Sequence, residues 1–265
     1  MANPDCAKIE AAEKKKYHYE SILETYKRFS HTKEVPILIK EGIGKGINIP
    51  QSHGREHIHV KRWMEAINSV SEKEQLAFQY KAIISTASTV CNKPYIKNYF
   101  AGQDYSDESE FDSIEKITEE GLILFKSIFG FKSLTFTVQG GFWGDHILKI
   151  LAKNGVLLAS GQQASPDLKG LHTTINKIWV QNSACNQMYY RRNILFEPSY
   201  NQNLDWESKA MADIEIAFRW GKPAVFSTHR ANYIGSIFED NKEQSLQKLS
   251  NLLLRIKKNG KEYSL

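Results

Sequence analysis

The segment SLTFTVQGGFWGDHILKILAKNGVLLA, residues 133–159, predicts the fold class of this chain. Residues 133–138 alternate as a strand does, and we expect that strand to end at Gly140-Gly141. The apolar residues within 147–151 then follow a helical spacing, and a second apolar strand is expected at 156–159. Strand, helix and strand with short connections are typical of a parallel sheet with crossover helices.

The same alternation extends in both directions from this segment. Helical spacing predicts helices over about residues 5–30, 35–42, 60–67, 114–128, 211–220 and 246–256. Further strands are predicted at 47–50, within 188–196 and at 224–228, whereas the period of residues 75–90 fits a helix and a strand equally well. The sequence therefore predicts an α/β fold, an irregular (β/α) barrel formed by one domain over residues 1–265, with about six strands.

Composition indicates a globular protein with one core. The chain has 265 residues, 41% of them hydrophobic and 25% charged, with a formal net charge of +5. The lysine runs at 14–16 and at Lys257, Lys258 and Lys261 are interpreted as solvated helix faces, because a nucleic-acid footprint would interleave basic and aromatic residues. Composition thus predicts no nucleic-acid partner.

Targeting and redox features indicate a cytoplasmic protein. No apolar stretch is long enough to span a membrane, and the N-terminus has no apolar signal region. Cys6, Cys91 and Cys185 have no short spacing, so we expect reduced thiols rather than a disulfide framework or a cysteine zinc site. Asn3-Pro4-Asp5 has the composition of a helix start, so the chain is expected to open on a helix with no strand before it.

The stretch His53-Gly54-Arg55-Glu56-His57, just after a predicted strand end, is the leading candidate for a metal site. The spacing of His53 and His57 places both imidazoles on one side of a helical turn, and neutral imidazole is a favoured zinc ligand. His59 is a weaker candidate, because it can equally be the first residue of the next helix. The structural alternative is a surface histidine cluster that caps that helix.

Three further groups of residues are candidates because they follow predicted strands. His229 suits proton transfer near neutral pH, and Arg230 suits an oxyanion or a carboxylate; a core histidine bonded to backbone is the alternative. Trp143 could stack on a sugar ring, although residues 139–145 also fit an ordinary turn. Arg192, with its neighbours and Glu197, could form a polar wall.

Together these stretches resemble the polysaccharide deacetylase superfamily, the metal-dependent carbohydrate esterases among the glycoside hydrolase/deacetylase barrels. The resemblance runs along most of the chain, to a largely uncharacterised bacterial subgroup. It rests on residues 50–57, on Arg192-Asn193 with residues 196–199, and on residues 221–224 with 227–230. It implies a barrel of that type, a carbohydrate substrate, and a divalent metal, zinc above all.

The resemblance also implies roles for individual residues. Carried over, His53 and His57 would be metal ligands and His229 the general acid. Trp143, Arg192 and Arg230 are candidate substrate-binding residues from their chemistry and placement alone, because the substrate-loop motif of the superfamily is not recognisable at 139–145. Members of the superfamily open with a strand that carries one aspartate ligand and one aspartate base, and no equivalent precedes Asn3. We therefore expect an N-terminally incomplete domain that lacks its first strand, with weakened metal affinity.

Three hypotheses about function follow. The first is a metal-dependent hydrolase that removes acetyl groups from amino sugars or related glycans. The second is a non-catalytic remnant that binds a glycan or a partner protein through Trp143 and its neighbouring loops. The third and weakest is a glycosidase, which needs paired carboxylates, for which Glu56 and Asp145 are the nominees.

Overall fold

The structure is a computed structural model of the chain. It describes residues 1–69, 72–84, 99–105, 108–143, 145–166, 172–175, 181–182, 185–236 and 238–259. At 140–143, 145, 161–166, 172–175 and 181–182 it describes the backbone alone.

The helices are α1 (Cys6–Ala11), α2 (Ile22–Arg28), α3 (Val35–Gly44), α4 (Val60–Asn68), α5 (Glu72–Gln79), α6 (Phe111–Phe129), α7 (Asp145–Lys153), α8 (Trp206–Arg219) and α9 (Glu239–Asn259). Single 3-10 turns lie at Ser30–Thr32, Glu108–Glu110 and Arg230–Asn232. The strands are β1 (Ala2–Pro4), β2 (Tyr19–Ser21), β3 (Thr135–Trp143), β4 (Leu158–Pro166), β5 (His172–Ile175), β6 (Gln181–Asn182), β7 (Gln187–Tyr190), β8 (Ile194–Leu195) and β9 (Phe226–Ser227).

The chain divides into two compact units, residues 1–190 and residues 191–265. The main sheet of the first unit has the strand order β3-β4-β7-β6, with β5 paired to β4. Strand β4 runs parallel to β3 and to β7, and helix α7 is the crossover between β3 and β4. Strand β5 pairs antiparallel with β4, and β6 pairs antiparallel with β7. The strand, helix and strand predicted from residues 133–159 are confirmed.

Two hydrophobic clusters form the core of the first unit. One packs α6 and α7 against β3 and β4, with Phe136, Ile147 and Leu151 fully buried. The other surrounds Trp63 of α4 and takes in Ile9 of α1. Apolar residues three and four positions apart supply the buried faces of the helices, as the sequence periodicity requires.

The second unit is a small parallel unit of its own. Strands β8 and β9 are parallel, and α8 is the helix between them. Helix α9 packs on α8, and its Leu252 is fully buried in a cluster with Phe196 and Ile214. A parallel pair needs such a crossover helix, so α8 brings the ends of β8 and β9 to the same edge.

Three predictions for the first 50 residues are wrong: one helix over residues 5–30, no strand before it, and a strand at 47–50. Residues 5–30 do not form one helix, because β1 and β2 pair as an antiparallel hairpin around the short helix α1. A strand therefore precedes the first helix, and Asp5 caps that helix by accepting from the Lys8 backbone N–H. Residues 47–50 form no strand either; only Ser52 makes an isolated parallel bridge to Phe136.

Several strand boundaries also differ from the prediction. Strand β3 does not end at Gly140-Gly141 but continues to Trp143, with a register shift against β4 between Thr137 and Phe142. The stretch 188–196, predicted to contain one strand, contains two, the greater part of β7 and all of β8. The α/β class is confirmed, whereas the sheets are small and the described residues show no barrel.

The remaining expectations concern thiols, membrane spans and basic runs. Cys6 and Cys185 carry free thiols, and Cys91 lies outside the described residues, as does Lys261. Among the described helices, none combines the length and the apolar character needed to cross a membrane. The lysines at 14–16 lie in a turn rather than on a helix face.

Candidate functional site

The histidine motif of the first unit lies at the edge of β3. The backbone N–H of Thr137 donates to the Ser52 carbonyl at 3.1 Å, so His53 follows a short stretch held beside the sheet. The imidazole rings of His53 and His57 are 4.8 Å apart between centroids, with an interplanar angle of 62°. The structure therefore brings together the two histidines that the spacing predicted.

The hydrogen bond of His53 fixes its tautomer. Its Nδ1 lies 2.7 Å from the Thr137 carbonyl oxygen, and since a carbonyl only accepts, Nδ1 carries the hydrogen. The lone pair of the neutral ring then resides on Nε2, the arrangement that metal-binding histidines adopt when their other nitrogen is bonded to protein. The His53 ring thus fits a metal ligand, although no group of three or more His, Cys, Asp or Glu side chains suited to a metal ion occurs among the described residues.

The Gln139 side chain holds the backbone of residues 53–56 in place. Its Nε2 donates to the carbonyls of His53 (2.5 Å) and Glu56, and its backbone N–H donates to Gln103 at 3.0 Å. Gly54 has φ +94, and a Cβ there would lie 2.3 Å from Gln139 Nε2. Only glycine therefore allows both the left-handed backbone and the close approach at this position.

Glu56 is a structural residue. It is 3% exposed, and its Oε1 accepts from Arg55 Nε at 2.6 Å and from the Tyr17 hydroxyl at 2.9 Å. Burial raises the pKa of the Glu56 carboxyl, while the Arg55 guanidinium opposes that rise. The glycosidase hypothesis thus loses one nominated carboxylate, and the side chain of the other, Asp145, lies outside the described residues.

His59 caps α4 and is buried. Its Nδ1 accepts from the Arg62 backbone N–H at 3.3 Å. Burial, with the neighbouring Arg62 charge, lowers the pKa of His59 to about 4. His59 is therefore the N-cap of α4, one residue before the helix begins at Val60, close to its predicted place at the start of that helix.

The second unit contains a histidine oriented by a carboxylate. His229 Nδ1 lies 2.5 Å from Glu197 Oε1, and the His229 side chain is 65% exposed while that of Glu197 is 10% exposed. Leu195 pairs with Ser227 in parallel register, so Glu197 and His229 each lie two residues beyond a paired position. Because parallel strands end at the same edge, the register of β8 and β9 brings these two side chains together.

Asn232 completes this arrangement from the interior. It is fully buried, and its Nδ2 donates to Glu197 Oε2 at 2.6 Å and to the His229 carbonyl at 2.8 Å. Its Oδ1 accepts from the Ser199 backbone N–H at 3.0 Å and hydroxyl at 2.7 Å. We call His229, Glu197, Asn232 and Ser199 the histidine relay; it can hold a proton at an exposed ring nitrogen with fixed orientation.

The other predicted residues are placed as follows. Arg192 is exposed in the connection between β7 and β8, and Arg230 is exposed in the 3-10 turn directly after His229. Trp143 is the last residue of β3, and its side chain lies outside the described part of the chain. Asn193 is structural, since its side chain bonds to the backbone of Pro223 and Val225 beside β9.

Sequence reasoning missed the relay as a unit. From the sequence alone, Glu197 belongs to a polar wall and to the resemblance at 196–199, and Asn232 has no assigned role. A signal was present, because both Glu197 and His229 follow predicted strands by the same short distance, and Asn232 is three residues beyond His229. Recognising the pair required knowing that those two strands are neighbours.

Comparison with known proteins adds no relative. The chain matches no family model, and no curated protein and no solved structure matches it at a significant level.

Proposed function

We propose that this chain is a divalent-metal-dependent hydrolase that removes acetyl groups from amino sugars or related glycans. The observation that carries the proposal is the exposed His229 ring, bonded through Nδ1 to the buried Glu197 carboxylate at 2.5 Å. A histidine oriented in this way is the usual proton-transferring group of hydrolases. The motif resemblance to polysaccharide deacetylases supplies the reaction class.

The relay suits the proton transfer that deacetylation needs. Water adds to the acetyl carbon, the bond from that carbon to the sugar nitrogen breaks, and acetate and a free amine result. The leaving nitrogen needs a proton, which the Nε2 of a protonated His229 donates. The Glu197 carboxylate accepts the Nδ1 hydrogen at all stages, which keeps the ring oriented.

His53 and His57 are the proposed metal ligands. Their rings are 4.8 Å apart, and the bond from His53 Nδ1 to the Thr137 carbonyl holds one ring in the tautomer that a metal needs. When bound, a divalent ion supplies polarisation of the acyl carbonyl and of the attacking water. The superfamily's irregular barrel belongs to the same proposal. Its support is one parallel strand-helix-strand unit within each compact unit, β3 and β4 with α7 in the first and β8 and β9 with α8 in the second.

Acetate release is the test of this function. The full chain, supplied with zinc and a tetramer of N-acetylglucosamine, is expected to release acetate, and EDTA is expected to abolish the release. His229→Gln should lower the rate by about 10²- to 10⁴-fold, the usual contribution of a general acid. Failure of the zinc-loaded wild-type chain to release acetate from N-acetylated oligosaccharides contradicts the proposal, and glycan binding without release favours a non-catalytic binder.

Zinc titration tests the metal ligands separately. Calorimetry should find about one zinc ion per chain. His53→Ala and His57→Ala should each abolish that binding, while the control His31→Ala, an exposed histidine packed on Phe29, should leave it unchanged. Equal zinc binding in all three variants would exclude the two histidines as ligands.

A further inference from the structure

A cleft in the second unit adjoins the histidine relay. It has a volume of about 640 Å³ and lies between the loop after β8 and the first two turns of α9. Its principal lining residues are Ser199, Gln202, Phe238, Asp240, Asn241 and Gln244. A volume in this range is typical of sites that bind small molecules.

Specific contacts hold both walls of the cleft. Lys248 Nζ of α9 donates to the Gln202 carbonyl at 2.9 Å, which ties the loop to the helix. Asn241 Nδ2 donates to the Ala231 carbonyl at 3.1 Å, which ties the helix to the turn that carries Asn232. A Cβ on Gly235 would lie 3.2 Å from the Glu239 Cα, so the segment before α9 packs closely on its first turn.

Ser199 belongs both to the cleft and to the relay. Its hydroxyl and backbone N–H donate to Asn232, whose amide nitrogen donates to Glu197. A ligand in the cleft therefore lies next to the residues that orient His229. The cleft is in position to hold a part of the substrate away from the reacting group.

The lining chemistry selects an amino sugar. Three side-chain amides, those of Gln202, Asn241 and Gln244, offer donors and acceptors for sugar hydroxyls. Phe238, 73% exposed, offers a flat apolar face. Of the described side chains that line the cleft, none is basic, and Glu239 and Asp240 are acidic. Lys242 pairs with Glu239 at 3.2 Å, which leaves Asp240 as the principal carboxylate for a ligand cation.

We propose that this cleft is a subsite for a glucosamine unit, the positively charged sugar that deacetylation leaves on the glycan. The inference rests on the proposed function, because it assigns the substrate class as a partly deacetylated glycan. Asp240 attracts the ammonium group, Phe238 packs on the sugar ring, and the three amides bind the hydroxyls.

The test is an NMR titration of the full chain with three oligosaccharides. The glucosamine tetramer should shift the side-chain amide resonances of Gln202, Asn241 and Gln244, more strongly than the N-acetylglucosamine tetramer or cellotetraose. Asp240→Asn and Phe238→Ala should each weaken binding of the glucosamine tetramer about two- to fivefold. The controls Glu243→Gln and Trp220→Ala, exposed residues outside the lining, should leave the dissociation constant unchanged.

The outcomes separate this inference from the proposed function. Equal or tighter binding of the neutral tetramers, or binding that shifts none of the three amides, overturns the subsite. The subsite does not depend on the reacting histidine, so His229→Gln should still bind the glucosamine tetramer. If the wild-type chain binds the glucosamine tetramer but releases no acetate, the hydrolase proposal is contradicted and the subsite is not. Acetate release without those amide shifts contradicts only the subsite.

Discussion

Replacement of Asn232 by alanine should destabilise the second unit strongly. Asn232 is fully buried, and the substitution removes the donor to Glu197 Oε2 and the acceptor of the Ser199 backbone N–H. A hydrogen bond to a charged group contributes about 1.5–3 kcal/mol, and the neutral hydrogen bonds of Asn232 to the Ser199 N–H and the His229 carbonyl contribute about 0.5–1.5 kcal/mol each. We expect the free energy of unfolding to fall by about 3–5 kcal/mol.

The assay is urea unfolding followed at one probe inside the same unit. Trp206 is 4% exposed, and its indole N–H donates to the Asn201 carbonyl at 2.8 Å, so its NMR resonance reports this unit alone. The matched control is Asn251→Ala on the surface of α9, where the amide oxygen accepts from Gln247 Nε2 at 2.9 Å, and the cost should stay below about 0.5 kcal/mol. If Asn232→Ala costs no more than Asn251→Ala, the relay is not the buried network described above.

Three further predictions concern pH, packing and the relay tautomer. Burial lowers the pKa of His59 and of His146 to about 4. Between pH 6.5 and 4 these histidines therefore bind protons in the unfolded chain but not in the folded one. The free energy of unfolding of the first unit should fall by about 1.4 kcal/mol per histidine for each pH unit by which the pH is lowered across this range. His146→Phe should reduce that slope in urea unfolding at each pH, and an unchanged slope would contradict burial of a neutral ring. Gly121→Ala should lower the free energy of unfolding by about 1–3 kcal/mol, because its Cβ would lie 2.7 Å from the Arg55 backbone nitrogen. The control Gly44→Ala, whose Cβ would have no atom within 4 Å, should not lower it in the same urea unfolding experiment. The ¹⁵N shifts of neutral His229 should show the hydrogen on Nδ1, and Glu197→Gln should move it to Nε2; the same tautomer in both chains would refute the pairing.

The helices that the sequence predicted well are long and amphipathic. Helices α6, α7 and α9 have apolar residues at helical spacing over two or more turns, so their local pattern and their packing agree. The prediction of one helix in the N-terminal region is wrong because β1 and β2 have only three residues each, too few to show the two-residue period of a strand. Apolar residues of that hairpin and of α2 then mimic one helical stripe.

Two glycines are the reason that the predicted end of β3 is wrong. Gly140 and Gly141 are common at strand ends, yet here the strand passes through them with a register shift against β4. The pairing that keeps the strand extended comes from β4, about twenty residues later, and no local signal reveals it.

The two candidate groups, the histidine pair of the first unit and the histidine relay of the second, were predictable to different degrees. His53 and His57 are close in sequence, so their spacing alone placed their rings together. Glu197 and His229 are 32 positions apart, and their contact depends on the parallel register of β8 and β9. Residue type identified His229, but only tertiary structure identifies the carboxylate that orients it.

The rate of acetate release by Glu197→Gln, compared with wild type, tests the central claim most directly. Both zinc-loaded chains would be assayed on the N-acetylglucosamine tetramer, with the Trp206 resonance confirming that each is folded. The relay predicts a loss of about 10²-fold or more with the fold retained. Equal rates in the two folded chains, or no acetate from the wild type, would contradict the claim that Glu197 and His229 carry the chemistry.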